Sequence, residues 1–322
     1  MIYGPPLRDP VRRIGARAFD FRRQVAVMAV VNRTPDSFYD RGRTYGLDAA
    51  VDACVAAADA GADWVDIGGV PFAPGPALAA EDEIARVVPV VEAVRAASDI
   101  VISVDTFDAR VAGAALAAGA DVINDTTGLH DPELARVVAQ AGASLVITHS
   151  LAAARGAGPR TQFARPSYTD VVAEVAAFLA DRVAYAVSEG VASDLLIIDP
   201  GHDLNKNTLQ SLELTRRLAE IADLGYPVLA AVSNKDFVGE TLDAARGERL
   251  NGSLAAAVVA VMQGARIVRM HNVRESVEAV RMTEAILGWR QPAGRLVHNM
   301  SEANVSDAGS ERARTRRGEE DS

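Results

Sequence analysis

The amino-acid sequence predicts an α/β fold, a (β/α)8 TIM barrel with a short N-terminal extension and a disordered C-terminal tail. The first observation is a repeated joint. The segments "AGADWVDIGG", "AGADVINDTTG", "AGASLVITHS", "GVASDLLIIDPG" and "QGARIVRMHN" each place a glycine suited to a helix C-cap shortly before an apolar run that ends in polar residues. The second is that "VAVMAVVN", "DIVISVDT" and "YPVLAAVSNK" bring such runs to eight. The third is their near-continuous apolar character, which belongs to strands buried on both faces of a parallel sheet. A doubly wound open sheet is the alternative, and the number of runs favours the barrel.

Along the chain, residues 1–24 form the extension, in which "ARAFDFRRQ" is expected to make a short hairpin closing the lower end of the barrel. Strands are expected at 25–31, 64–67, 100–104, 121–123, 144–147, 195–198, 228–232 and 265–268. Helical patterns occupy 48–60, 81–97, 168–189, 208–223, 253–263 and 273–287, so the barrel domain spans 25–290. From Gln291 the chain turns rich in Pro, Gly, Ser, Arg and Glu and ends "GSERARTRRGEEDS", which reads as a disordered tail over 291–322.

The totals narrow the function. The chain has 322 residues, 49% hydrophobic and 24% charged, enough for a large buried core. Its net charge of −10 argues against a broad nucleic-acid or anionic-membrane surface while leaving room for a local basic pocket. Cys54 is the single cysteine, so no intrachain disulfide is possible, and its alanine-rich surroundings suit a small buried residue. Residues 1–24 carry no apolar signal-peptide core, and the longest uncharged apolar run, 253–265, is shorter than the roughly 20 residues of a membrane helix. A cytoplasmic protein that acts on a small molecule, with neither nucleic acid nor membrane as partner, is the expectation.

In a barrel of this kind the strand C-termini and the loops after them form the active face. The apolar runs end at Asn32, Asp105, Asn124, Asp125, His149, Asp199, Lys235, Arg269 and His271. Carboxylates, an amide and cations gathered in one concavity are costly to bury without each other or a ligand, and they suit a small planar ligand with many hydrogen-bonding groups. Each also has a plainer reading. Asp105 and Asn124 fit helix N-caps, Asp199 before Pro200 and Gly201 fits a turn former, Lys235 and Arg269 fit surface cations, and the histidines fit satisfied core residues. Their joint location at strand ends favours a site.

These residues carry a family resemblance. "MAVVNRTPDSFYDRG" resembles the first signature of dihydropteroate synthases, Asn-x-Thr-Pro-Asp-Ser-Phe after an apolar strand. "ISVDT", "VINDTTG", "IIDPG", "ERLNGSLAAAVVAVMQGARIVR" and "RMHNVRE" resemble later motifs of that family, and the similarity covers residues 25–287. The resemblance implies a barrel that binds a pterin in its mouth, as a homodimer. The implied reaction joins 6-hydroxymethyl-7,8-dihydropterin diphosphate to p-aminobenzoate through a new carbon–nitrogen bond, with Mg2+ as cofactor and pyrophosphate as leaving group. By position in the motifs, Asp199 would accept the pterin's N–H donors, Asn124 would pair with the same ring, and Lys235 would donate to its carbonyl and ring nitrogen. Asp105 would lie beside the ring and the exocyclic carbon, where its charge stabilises the departing state, so Asp105 and Lys235 are the implied catalytic residues. Arg269 would cover the pterin face and reach phosphate, Asn32 and His271 would contact the pyrophosphate, and Asn32 would touch the metal.

The second half of the implied site departs from the family pattern. Where family members read Gly-Gly-Glu-Ser-Thr-Arg-Pro-Gly, this chain reads "GGVPFAPG", so Val70, Pro71, Phe72 and Ala73 replace the residues that handle pyrophosphate and order the aminobenzoate site. Alanine cannot imitate a guanidinium that grips a diphosphate through paired hydrogen bonds. Asn234 stands for the arginine of a family Ser-Arg-Lys, and Asp203 for a glycine, adding negative charge near an anion site. Arg33 is a gain beside Asn32 that either reaches an anion or turns outward. The chain thus resembles the divergent second synthase homologues of actinobacteria, and it is expected to be weakly active or inactive. The alternatives are an active synthase with a remodelled loop, and a noncatalytic protein that binds a pterin or an aryl amine.

Overall fold

The structure, a computed structural model, describes residues 3–32, 46–70, 78–159, 161–296 and 298. Two short strands come first, β1 (Val11–Ile14) and β2 (Arg17–Asp20), paired antiparallel around the turn at Gly15. Eight parallel strands follow: β3 (Ala26–Asn32), β4 (Trp64–Gly68), β5 (Val101–Asp105), β6 (Val122–Asp125), β7 (Ser144–Thr148), β8 (Leu196–Asp199), β9 (Val228–Ala230) and β10 (Ala265–Met270). They close into a barrel in the order β10-β3-β4-β5-β6-β7-β8-β9, with Arg269 of β10 in register with Met28 of β3. The expected (β/α)8 barrel is the observed fold. Arg33, Pro71, Phe72, Ala73 and the expected tail from residue 299 lie outside the described residues.

Helices fill the outside: α1 (Leu47–Asp59), α2 (Ala80–Ala97), α3 (Ala109–Ala117), α4 (Leu134–Ala141), α5 (Leu151–Ala154), α6 (Val171–Ser188), α7 (Thr208–Arg216), α8 (Leu218–Ala222), α9 (Asp236–Leu242), α10 (Leu250–Met262) and α11 (Val273–Ile286). The stretch expected as one helix over 208–223 is two, because Arg217 leaves the helical region at φ −108° and ψ 23°. α3 is alanine-rich, and alanine, small enough to suit either face, blurs its apolar stripe, whereas α4 carries a clear stripe but spans only eight residues. At the joint before β7, Gly142 adopts φ 62°, the left-handed C-cap that the repeated glycine suggests.

Two apolar cores follow from strand alternation. Val27, Val65, Ile102, Ile123, Leu145, Ile198 and Val268 point outward and pack under the helices, and Cys54 lies buried in this layer. Met28, Trp64, Val101, Val122, Val146, Ile197 and Ile267 point inward and fill the lower barrel together with Ile14, Phe19 and Phe21. Phe19 stacks on Phe21 at 5.6 Å and meets Trp64 edge-on at 5.9 Å, so the N-terminal hairpin plugs the lower end. The lower end of the barrel is therefore filled by apolar and aromatic side chains.

Candidate active site

One layer above the inward apolar ring, the same alternation brings Asp66, Ser103, Asn124, Thr148, Asp199 and Arg269 to the inner face. Asp66 sits at the centre of this layer with no exposure. Its carboxylate accepts from Ser103 Oγ at 2.7 Å, Asn124 Nδ2 at 3.1 Å and Arg269 Nε at 2.6 Å. Arg269 Nη2 also lies 3.6 Å from Asp105, so one guanidinium spans two carboxylates. Burial opposes the charge on Arg269, but Asp66 and Asp105 outweigh it and hold the group firmly ionised. Burial and the Asp66 charge both push Asp105 upward, against Arg269.

Residues singled out from the sequence lie around this layer. Asn32 ends β3 in register with Gly68, and a Cβ at Gly68 would come within 3.4 Å of Asn32 Oδ1. Asp105 and Asn124 are neighbours in register on β5 and β6. Neither caps a helix: α3 is capped by Asp108, which accepts from Arg110 N at 2.9 Å, and Ala109 N donates to Asp131. Asn124 Oδ1, buried in the barrel, meets no hydrogen-bond partner among the described residues. Asp199 is both a turn former and an inner-face group. One of its oxygens accepts from Gly201 N at 2.7 Å, while burial raises the carboxyl to about 6. That turn requires Gly201, whose φ is +69° and whose added Cβ would lie 2.7 Å from His149 O.

Lys235 precedes α9 at its N-cap and is not a surface cation. Burial lowers its pKa, Arg269 lowers it further, and Asp203, Asp199 and Asp105 pull it back, so their fields converge on one amine. Its loop is held by the buried Arg249, which donates to Asn234 O at 3.0 Å, Lys235 O at 3.1 Å and Asp236 Oδ1 at 2.8 Å. His271 follows β10 and places Nδ1 3.0 Å from Ser233 Oγ. Asp203, expected as an added negative charge near an anion site, accepts from Phe237 N at 3.2 Å at the start of α9 and from Ser211 Oγ at 3.1 Å, and its charge also acts on Lys235.

Two residues of the expected convergence turn away from the mouth into local structure. Asp125 accepts from Thr127 N and Oγ1 and from Leu129 N, closing its own loop. His149 pairs through Nδ1 with Lys206 Nζ at 2.9 Å and packs edge-on against Phe178 at 4.9 Å. Lys206 also donates to Gly201 O at 2.8 Å and Leu204 O at 3.1 Å, so the buried amine ties the loops after β7 and β8 together. Burial lowers Lys206 to about 7, and burial followed by Lys206 drives His149 well below the usual histidine range, so the imidazole is neutral.

Asp66, Ser103, Thr148 and Lys206 are not among the residues that the sequence pattern singles out. The signal for the first was present: Trp64, Asp66 and Gly68 share one face of β4, so the face that buries the Trp64 ring also carries the aspartate inward.

A match to the pterin binding enzyme family covers residues 28–271, from within β3 to His271. The chain belongs to the dihydropteroate synthase family. It is 46% identical over 275 residues to "Inactive dihydropteroate synthase 2" of Mycobacterium leprae (strain TN), spanning 83% of this chain and 92% of that protein. It is 38% identical over 266 residues to the dihydropteroate synthase of Escherichia coli (strain K12), spanning 82% and 93%. Among solved structures, dihydropteroate synthase from Xanthomonas albilineans with 4-aminobenzoic acid superposes with a TM-score of 0.78 at 37% identity, over 86% of this chain and 98% of that one. The Yersinia pestis dihydropteroate synthase in a sulfonamide drug complex gives 0.81 at 34% identity, over 87% and 100%. Within the dihydropteroate synthase family, then, this member keeps the barrel and a polar inner layer and is similar to mycobacterial homologues named as inactive.

Proposed function

We propose that this member of the dihydropteroate synthase family binds a pterin in its barrel mouth and has lost, or nearly lost, the synthase reaction. One observation carries the reading. Asp105, Asn124, Asp199, Lys235 and Arg269 surround one mouth, while the strand that delivers Asp66 to it leads through Gly69 into Val70, Pro71, Phe72 and Ala73. Asp199 and Asn124 Oδ1 are acceptors for the N–H edge of the pyrimidine ring, and Lys235 is a donor for its carbonyl side. Arg269, held between Asp66 and Asp105, offers its guanidinium plane to the ring and its charge to a phosphate. The loop residues that would help grip the leaving diphosphate and seat the arylamine are the ones replaced, at 70–73.

Asp105 would stabilise cationic character at the exocyclic carbon, and Lys235 would hold the ring in place for that step. Mg2+ would neutralise diphosphate charge when bound. Among the described residues no group of three His, Cys, Asp or Glu could hold a metal, and Asn32 offers a neutral amide oxygen. Such a donor set fits an ion that keeps few protein ligands and arrives on the diphosphate, with Asn32 as its protein ligand and His271 beside the phosphate.

The reading is tested by replacing Val70–Ala73 with Glu-Ser-Thr-Arg. Gain of synthase turnover in that variant, with pterin affinity unchanged, supports it. Turnover by the unaltered protein at the level of an ordinary synthase overturns it.

A further inference from the structure

The structure assigns Thr148 as a further ligand contact, through a hydroxyl that reads the second N–H of an exocyclic amine whose first N–H is held by Asp199; the inference rests on the pterin reading of this site. Thr148 lies two residues beyond Val146, which points into the barrel, and is therefore on the inner face of β7. It is in register with Asp199 on β8, so the two side chains stand next to each other across neighbouring strands. It is 1% exposed, and its Oγ1 meets no hydrogen-bond partner among the described residues. Its methyl lies beside Gly201, where an added Cβ would approach Cγ2 to 3.2 Å, so the side chain is wedged against the same turn that orients the Asp199 carboxylate.

A buried hydroxyl left without a partner destabilises a fold, whereas one that meets its partner on ligand binding returns that cost as affinity. The neighbouring pattern fixes the chemistry of that partner. One Asp199 oxygen accepts from Gly201 N, and the carboxylate together with the unpartnered Asn124 Oδ1 makes this wall one of acceptors, which suits a ligand edge rich in donors. A primary amine on a flat ring has two hydrogens pointing apart in the ring plane. With one on Asp199, the other turns toward a neighbouring strand, and Thr148 occupies that position on the β7 side. A 2-amino-4-oxo-pyrimidine ring carries such an amine.

Thr148→Val keeps the shape and deletes the hydroxyl, which makes the test clean. Binding of 6-hydroxymethyl-7,8-dihydropterin and of its analogue lacking the 2-amino group is measured by calorimetry in the wild-type protein and the variant, with the melting temperature of each ligand-free protein. The expected result is that Thr148→Val weakens the amino ligand by about 5- to 10-fold, as for one lost hydrogen bond, and leaves the analogue unchanged. The ligand-free variant melts at the wild-type temperature or above it. Equal affinity of both proteins for the amino ligand overturns the inference, as does a lowered melting temperature with equal weakening of both ligands, which marks a packing role. Failure of the wild-type protein to bind either ligand overturns the pterin reading itself, and with it this inference.

Discussion

Asp66 and Arg269 form an ion pair of 2.6 Å inside the barrel, with the carboxylate fully buried. The pair connects the strand that leads into the altered loop with the last strand of the barrel; Arg269 also reaches toward Asp105, and Asp66 holds the Asn124 amide through Nδ2, with Oδ1 meeting no partner among the described residues. Removing one partner of a buried pair leaves the other charge uncompensated, which costs about 3 to 5 kcal/mol. Asp66→Ala is therefore expected to lower unfolding stability by that amount in a urea titration. Asp66→Asn, which retains an acceptor and the volume, is expected to lose less stability but to weaken pterin binding by releasing both Asn124 and Arg269.

Asp199 gives a pH dependence with a definite sign. Its folded-state carboxyl is raised to about 6, above the ordinary value of 3.8. The folded protein therefore holds this proton more tightly than the unfolded chain, and stability falls as pH rises from about 4 to 6 and then levels off. Asp199→Asn is expected to be more stable than wild type at pH 7 by about 1 to 3 kcal/mol, with the difference vanishing below pH 4. The same variant is expected to lose pterin affinity. Denaturant titrations at pH 4 and pH 7, paired with calorimetry, check both parts.

Gly201 is the residue that lets Asp199 fold back on its own turn. Gly201→Ala places a Cβ 2.7 Å from His149 O in a left-handed backbone, and should cost about 2 kcal/mol or more in stability. Thermal melts of the ligand-free protein read this directly. A variant that melts like wild type would show that the turn after β8 is looser than its hydrogen bonds imply.

Mg2+ provides a prediction that does not depend on turnover. No metal-holding cluster of His, Cys, Asp or Glu occurs among the described residues, so under the proposed role of Asn32 as the protein ligand Mg2+ alone is expected to give no calorimetric signal. In the presence of pterin diphosphate it should tighten that ligand, and it should not affect the pterin lacking the diphosphate. Asn32→Ala should remove most of the tightening.

Much of the fold was legible because five of the αβ joints repeat the same local signals, a glycine such as Gly142 followed by an apolar run. The polar layer of the candidate site was legible in outline because Asp105, Asn124, Asp199 and Arg269 each occupy a strand's last or next-to-last position. The strands nevertheless reach these residues where the apolar runs were read as stopping before them, since an inner polar layer needs strand geometry as much as the apolar one below it. What could not be read was which polar groups serve one another. Asp66 lies inside an apolar run, and only the barrel's closure shows that its partners are 37, 58 and 203 residues away. The opposite holds for His149, whose pairing with Lys206 takes it out of the mouth for reasons that no local pattern carries.

The central claim is a pterin pocket retained in a barrel whose synthase chemistry has lapsed. Its most direct test pairs two measurements on the purified protein: calorimetric binding of 6-hydroxymethyl-7,8-dihydropterin diphosphate with Mg2+, and formation of dihydropteroate when p-aminobenzoate is added. Two missing charged contacts, at about 2 to 4 kcal/mol each, predict saturable binding with product formation several orders of magnitude below that of the Escherichia coli relative. Product formation at the rate of that relative, or no binding of the pterin diphosphate at all, would contradict the claim.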